Sequence, residues 1–290
     1  MFKDGQDGRS IVLKAMSDGV HFARELELRG WRNAGGASRW LKPESDAALA
    51  SEHVVEIIEE LSGDDVREAA ERYNLEHRER SLTDRIIVME QGDRDLAVVA
   101  LKEQLDLAAT RTIVRQIALS LEYIHRKGII HADVSSRPVL LEPVTASFMT
   151  PLVGFRLNQV KPLNLLRFGN KWKMIDMDAA VKLGQAITEK SSEQSAPPEA
   201  FMRDMRGDVT LRTAHKTFVT PLRAERSFDL WSLGIVLYEV IARRALVVSD
   251  RDGSLDQVSR SRIFQWDCRR EPLKNLIFQS GAELSLLLAW

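Results

Sequence analysis

Three short stretches of this chain place ionisable groups where they could do chemistry. Lys14 ends the apolar run Ile11-Val12-Leu13-Lys14, which would fix an ammonium on a strand. Asp133 closes Ile130-His131-Ala132-Asp133, and Asp176 and Asp178 stand in Trp172-Lys173-Met174-Ile175-Asp176-Met177-Asp178. Moving a phosphoryl group off a nucleotide needs little more than such groups. A cation must hold the phosphates, one carboxylate must hold Mg²⁺, and another must orient the acceptor hydroxyl. Mg²⁺ is a hard ion that takes oxygen ligands, so Asp and Asn side chains suit it. Each stretch alone has an ordinary explanation: a surface lysine, a hydrogen-bonded core histidine, a turn aspartate.

The elements that would carry these residues follow from periodicity. Ser10–Met16 is short, β-prone and bounded by glycines, which predicts a strand, and His21–Arg29 has Phe22, Leu26 and Leu28 on one helical side. Residues 30–50 are rich in Gly, Ser and charge and read as a loop insertion. Val54–Ile58 is the next expected strand, and residues 63–80 read as a charged, solvated excursion. Arg85–Glu90 is a buried strand stopped by Gln91-Gly92-Asp93. From Leu105 to Arg126, Ile113, Ile117, Leu121 and Ile124 recur at helical spacing, and Lys127-Gly128 closes the helix. A second long helix over Asp229–Arg243 carries Leu230, Leu233, Val236, Leu237 and Val240. Strand-and-helix material followed by a mostly helical remainder suits a small mixed lobe beside a larger helical one.

Composition sets outer bounds. A chain of 290 residues that is 44% hydrophobic can bury one large core or two lobes around a cleft. Lys+Arg 41 against Asp+Glu 42 gives no global argument for nucleic acid or an anionic membrane as partner. The one cysteine, Cys268, excludes an intrachain disulfide; two arginines follow it, yet no cysteine-enzyme pattern surrounds it. The start lacks a signal-peptide core, and the apolar run Leu230–Ala242 is too short to span a bilayer. The expectation is a cytoplasmic, soluble protein.

Taken in order, the motifs resemble those of eukaryotic-type protein kinase domains of the serine/threonine class. Ile11-Val12-Leu13-Lys14 resembles the strand whose lysine grips the α/β-phosphates, and Glu25 stands where the next helix supplies its ion-pair partner. Met89 and Glu90 resemble the gatekeeper and first hinge residue of the nucleotide site. Asp133 corresponds to the catalytic base or orienter, and Asp176 to the metal-binding aspartate. Ala196-Pro197-Pro198-Glu199 is similar to the end of an activation segment; Phe228-Asp229-Leu230-Trp231 resembles the helix start whose aspartate caps the catalytic loop. The resemblance implies an α+β, two-lobed fold with a β-rich N-lobe over residues 1–90, insertions at about 30–50 and 59–84, and a helical C-lobe over 91–290. It implies ATP and Mg²⁺ as cofactors and a protein substrate. A small-molecule kinase fits the last two motifs less well.

The catalytic loop is interrupted. After Asp133 the family has a lysine and then a metal-binding asparagine, but here Val134-Ser135-Ser136-Arg137-Pro138 follows. Both groups appear later, in Val160-Lys161-Pro162-Leu163-Asn164. Omitting Val134 through Gln159 joins Asp133 to Val160 and restores a complete loop, with Lys161 near the transferred phosphate and Asn164 on metal. The segment 134–159 reads as a translated retained intron or gene-model error; the alternative is a true insertion looped out between Asp133 and Lys161, whose closure entropy would be modest. In the first case the resemblance implies an active kinase. The literal sequence instead suggests a pseudokinase, a binding or scaffold module.

Other departures accompany this one. Asp4-Gly5-Gln6-Asp7-Gly8 reads as a turn rather than a glycine-rich phosphate cradle, so the domain is expected to lack its first strands. Glu199 has no downstream arginine of the family kind, and Leu286–Trp290 reads as a lobe helix cut short. Ala132 replaces the arginine that pairs with a phosphorylated activation segment, implying a kinase not switched in that way. Asp178 replaces the glycine of the metal-binding turn; Thr188, Ser191, Ser192 and Ser195 read as ordinary loop residues.

Overall fold

Alternation of apolar residues builds the first layer. In a computed structural model, strands β1 (Phe2–Lys3), β2 (Ser10–Ala15), β5 (Ile57–Ser62) and β6 (Arg85–Glu90) form an antiparallel sheet of order β1-β2-β6-β5. The structure describes residues 2–3, 10–34, 40–44, 48–63, 65–66, 84–134, 164–188, 192–212, 222–242, 245–247, 249–250 and 254–266. The expectations at residues 4–9, most of 63–80, Lys161, Ser191, Cys268 and 286–290 lie outside them.

Successive side chains of a strand face opposite ways. On β6, Ile87 and Met89 therefore pack with Phe22 and Leu26, while Ile86 and Val88 pack with Ile11, Leu61 and Val66. Helix α1 (Gly19–Leu28) lies on the first face. Asp18 caps it by accepting from the Val20 and His21 N–H groups at 2.7 and 3.3 Å, and Gly30, at φ 88°, lets the chain leave its C-terminus.

Two expectations for this region are corrected. Residues 30–50 hold a hairpin, β3 (Arg32–Asn33) with β4 (Trp40–Leu41), and Trp31 and Trp40 are buried against Phe22, with Trp40 edge-on to it at 6.4 Å. The tryptophans make this stretch part of the core despite its polar composition. The strand expected at Val54–Ile58 begins only at Ile57. Val54 and Val55 are buried all the same, because the Val55 N–H donates to the Met174 carbonyl at 2.9 Å and the Met174 N–H to that of His53 at 2.9 Å. That exchange joins the sheet to the helical part.

The helical part is built around α3 (Leu107–Arg126), preceded by β7 (Arg94–Asp95) and α2 (Leu96–Lys102). Asp106 caps α3 through the Ala109 N–H at 2.6 Å, and its buried stripe is the expected Ile113, Ile117, Leu121 and Ile124. Short strands β8 (Ile129–Ile130), β9 (Leu165–Phe168), β10 (Lys171–Met174) and β11 (Val181–Lys182) follow, β8 pairing β11 and β9 pairing both β10 and β7. A hairpin of β12 (Phe201–Arg203) and β13 (Val209–Leu211), then α4 (Arg226–Ala242) and α5 (Gln257–Phe264), complete the described chain. Val236 and Val240 of α4 enter the α3 core as their spacing predicts, whereas Leu230 is exposed and Phe228, Asp229 and Ser232 are buried instead.

Candidate active site

The loop carrying Asp133 is held by one buried carboxylate. Asp229, at the start of α4, accepts from the His131 and Ala132 N–H groups, both at 2.9 Å, and pairs with His125 Nε2 at 2.8 Å. These bonds hold Ala132 at φ 61°, a left-handed conformation that costs a non-glycine residue roughly 1–2 kcal/mol. The His131 ring, fully buried, donates from Nε2 to the Ile175 carbonyl at 3.0 Å and so ties this loop to the stretch entering Asp176. Asp176 is also left-handed, at φ 61°, a region that aspartate tolerates better than most residues.

Lys14, on β2, reaches two carboxylates. It pairs with Glu25 of α1, and it donates to Asp176 Oδ1 at 2.8 Å. Burial by itself would lower the Lys14 pKa; the charges of Glu25, Asp176 and Asp178 outweigh it and hold the ammonium above the usual lysine value. Glu25 is fully buried, with Arg29 at 3.1 Å and the Met177 N–H at 3.5 Å on its other oxygen.

The interrupted loop closes on itself. Asn164 Nδ2 donates to the Asp133 carbonyl at 2.7 Å and to its Oδ2 at 2.9 Å, across 31 positions of sequence. The Ser192 N–H donates to Asp133 Oδ1 at 3.3 Å. Val134 is buried in the core around α3, so the loop is seated up to that residue. Burial pushes the Asp133 carboxyl up to about 6; Asp176 adds to the rise, while His131, Asn164 and the Ser192 N–H oppose it.

Donor chemistry decides whether a magnesium nucleotide fits here. No cluster of three or more His, Cys, Asp or Glu that could hold a metal occurs among the described residues. That is compatible with Mg²⁺, which is commonly held by one or two carboxylates together with substrate phosphates. Asp133 and Asp176 repel one another, and a divalent cation beside Asp176 would relieve that repulsion. Asn164 spends its NH₂ group on Asp133, and its other polar atom is an oxygen. The residues present fit the group.

Of the expected site residues, the structure brings together Lys14, Glu25 and Asp176 in one cluster and Asp133 and Asn164 in another. Met89 is buried on β6 beneath α1. The Glu90 side chain is committed to Lys173 at 2.5 Å and to the Glu56 N–H at 3.0 Å, and its own N–H donates to the Glu56 carbonyl at 3.4 Å. Sequence reasoning missed Arg29, whose i,i+4 spacing from Glu25 was a readable signal. It also missed Ser192, read as an ordinary loop residue, and Glu193. The Glu193 carboxylate takes Arg260 of α5 in two hydrogen bonds, at 3.0 and 3.1 Å, and accepts the Leu255 N–H at 2.9 Å. Glu199 is exposed.

Comparison with known proteins bears on the family and the fold. The protein kinase domain model matches residues 52–281. The serine/threonine-protein kinase ArnS of Sulfolobus acidocaldarius is 24% identical over 137 residues, covering 47% of this chain and 18% of that protein. The MAP kinase-interacting serine/threonine-protein kinase 1 of Xenopus tropicalis is 28% identical over 131 residues, covering 45% of this chain and 25% of that protein. The matched stretches thus span a quarter or less of these relatives. A chain of the yeast RNA Pol II CTD kinase CTDK-1 complex superposes with a TM-score of 0.51 at 16% identity, covering 90% of this chain and 63% of that one. It shares the two-lobed fold.

Proposed function

Because the chain belongs to the protein kinase domain family, we propose that it is a serine/threonine protein kinase that transfers the γ-phosphoryl group of ATP to a protein hydroxyl. The observation that carries this reading is the pairing of Asn164 with Asp133 despite the intervening insertion. It supports a working site because it brings the two halves of the separated motif to one place. Lys14, fixed by Glu25, holds the α/β-phosphates, and backbone near Glu90 meets the base beneath Met89. Asp176 and Asn164 hold Mg²⁺, which when bound neutralises charge on the phosphates. Asp133 orients the acceptor hydroxyl and takes its proton as the new O–P bond forms and the β,γ-bridging bond breaks, with ADP leaving. Lys161, by its place in the motif, steadies the transferred group. The lobes are assigned to residues 1–90 and 91–290, and the compartment to the cytoplasm; no helix among the described residues is long and apolar enough to cross a membrane.

One observation favours the pseudokinase alternative. Asp176, the metal carboxylate of the first reading, is already paired with Lys14. Titration calorimetry with ATP, with and without Mg²⁺, separates the two. The kinase reading expects Mg²⁺-dependent binding that is lost in Lys14→Met and Asp176→Ala. Equal binding without Mg²⁺, or none at all, overturns it in favour of a scaffold.

A further inference from the structure

Arg29 sits at the end of α1, 4% exposed, and its guanidinium is spent on two tasks. One nitrogen donates to Glu25 Oε1 at 3.1 Å and another to the Val55 carbonyl at 2.5 Å. Val55 in turn donates its N–H to the Met174 carbonyl, on the strand that leads directly into Asp176. One side chain therefore connects the helix carrying Glu25 to the strand carrying Asp176.

The charges give this link a purpose. Lys14 is shared between Glu25 and Asp176, so those three groups alone leave one net negative charge in a largely buried place. Arg29 adds a second cation, so that the chain of contacts Arg29, Glu25, Lys14, Asp176 alternates in sign. A buried carboxylate with no firm partner is costly. Glu25 would face that situation whenever Lys14 turned toward another anion.

We propose that Arg29 is a positioning residue: a second anchor that keeps Glu25 inward and α1 docked when Lys14 is drawn to nucleotide phosphates and Asp176 to metal. The anchor is internal to the chain and uses no modified residue, in keeping with Ala132 at the place where a phosphate-reading arginine would stand. This inference deepens the kinase reading and rests on it for its consequence, though the anchor itself is a property of the protein without ligand.

The test uses the intact chain as wild type, Arg29→Met, Arg29→Lys and the double variant Glu25→Gln/Arg29→Met. Hydrogen exchange is followed without nucleotide, and Mg-ATP affinity is measured by calorimetry. Arg29→Met is expected to speed amide exchange in residues 22–28 and at Met177 by at least tenfold while β6 stays protected. It should also weaken Mg-ATP at least tenfold, and Arg29→Lys should recover part of both. The proposal is overturned if α1 exchange and affinity match wild type. It is equally overturned if β6 opens in parallel, which marks a general packing role, or if Arg29→Lys recovers nothing. Should Arg29→Met fail to fold, the double variant removes the stranded carboxylate; α1 exchange equal to wild type in that protein also overturns it. If wild type binds no Mg-ATP, the kinase reading fails, and the exchange comparison still decides the anchor.

Discussion

Asp133 is the residue whose environment makes the sharpest chemical demand. Its carboxyl is held at about 6 in the folded protein, because burial and Asp176 disfavour its charge more than Asn164, His131 and Ser192 favour it. Protonated, it cannot accept the hydroxyl proton, so kcat/KM for a protein substrate should fall tenfold per pH unit below about 6. A pH–rate profile checks this, and the Asp133→Asn variant should lose activity across the whole range. The stability effect has the opposite sign. A raised folded pKa means the native state binds more protons than the unfolded chain between the ordinary aspartate value and about 6, so stability drops as pH rises through that window. Asp133→Asn should therefore stabilise the protein by about 1–3 kcal/mol at pH 8 and by little at pH 4, measured by denaturant unfolding at both pH values. An active site that destabilises its own fold is a common trade.

At the scale of elements, the site depends on two fastenings. Asp229 satisfies two backbone N–H groups and one histidine in a place without water access; Asp229→Ala strands all three and should cost about 3–5 kcal/mol, read as a fall in Tm. Glu193 and Arg260 join the segment after Asp176 to α5. Arg260→Ala should lower kcat/KM for protein substrate several-fold while leaving KM for ATP unchanged, which steady-state kinetics resolves.

Elements with a clean period were legible in the sequence. The Ile113, Ile117, Leu121, Ile124 stripe dictated α3, and the apolar run of β6 dictated the central strand. The Trp31–Trp40 hairpin was not, because its burial depends on Phe22 of a separate helix rather than on any local pattern. For α2, Asp95 before Leu96-Ala97-Val98-Val99 was a readable cap signal that went unused. The groupings Lys14–Glu25–Asp176 and Asp133–Asn164 came from the order of motifs. The contacts that complete them, from Ser192 and from Glu193 to Arg260, join residues tens of positions apart and leave no spacing to read.

At the scale of the whole molecule, the chain brings its candidate catalytic groups Asp133 and Asn164 together although a long segment separates them in sequence. Asp133 and the first residue of the interruption, Val134, are seated at its start, and Asn164 is seated after it. Closing a longer loop adds only about 0.6 kcal/mol per doubling, so a fold can carry such a segment. Deleting Val134 through Gln159 places another valine, Val160, directly after Asp133. The shortened protein should keep its Tm within a few degrees and be at least as active as the full chain.

The central claim is that Asp133 performs phosphoryl transfer in a site that Lys14, Asn164 and Asp176 prepare for the nucleotide. The measurement that bears on it most directly is transfer of label from γ-³²P ATP to a mixed serine/threonine protein substrate by the intact chain and by Asp133→Asn, with Mg-ATP affinity measured alongside. The account predicts label on serine or threonine with the wild-type chain, and loss of transfer by at least a hundredfold in the variant while Mg-ATP still binds. Equal transfer by both proteins, or Mg-ATP binding without any transfer by the wild type, would contradict it.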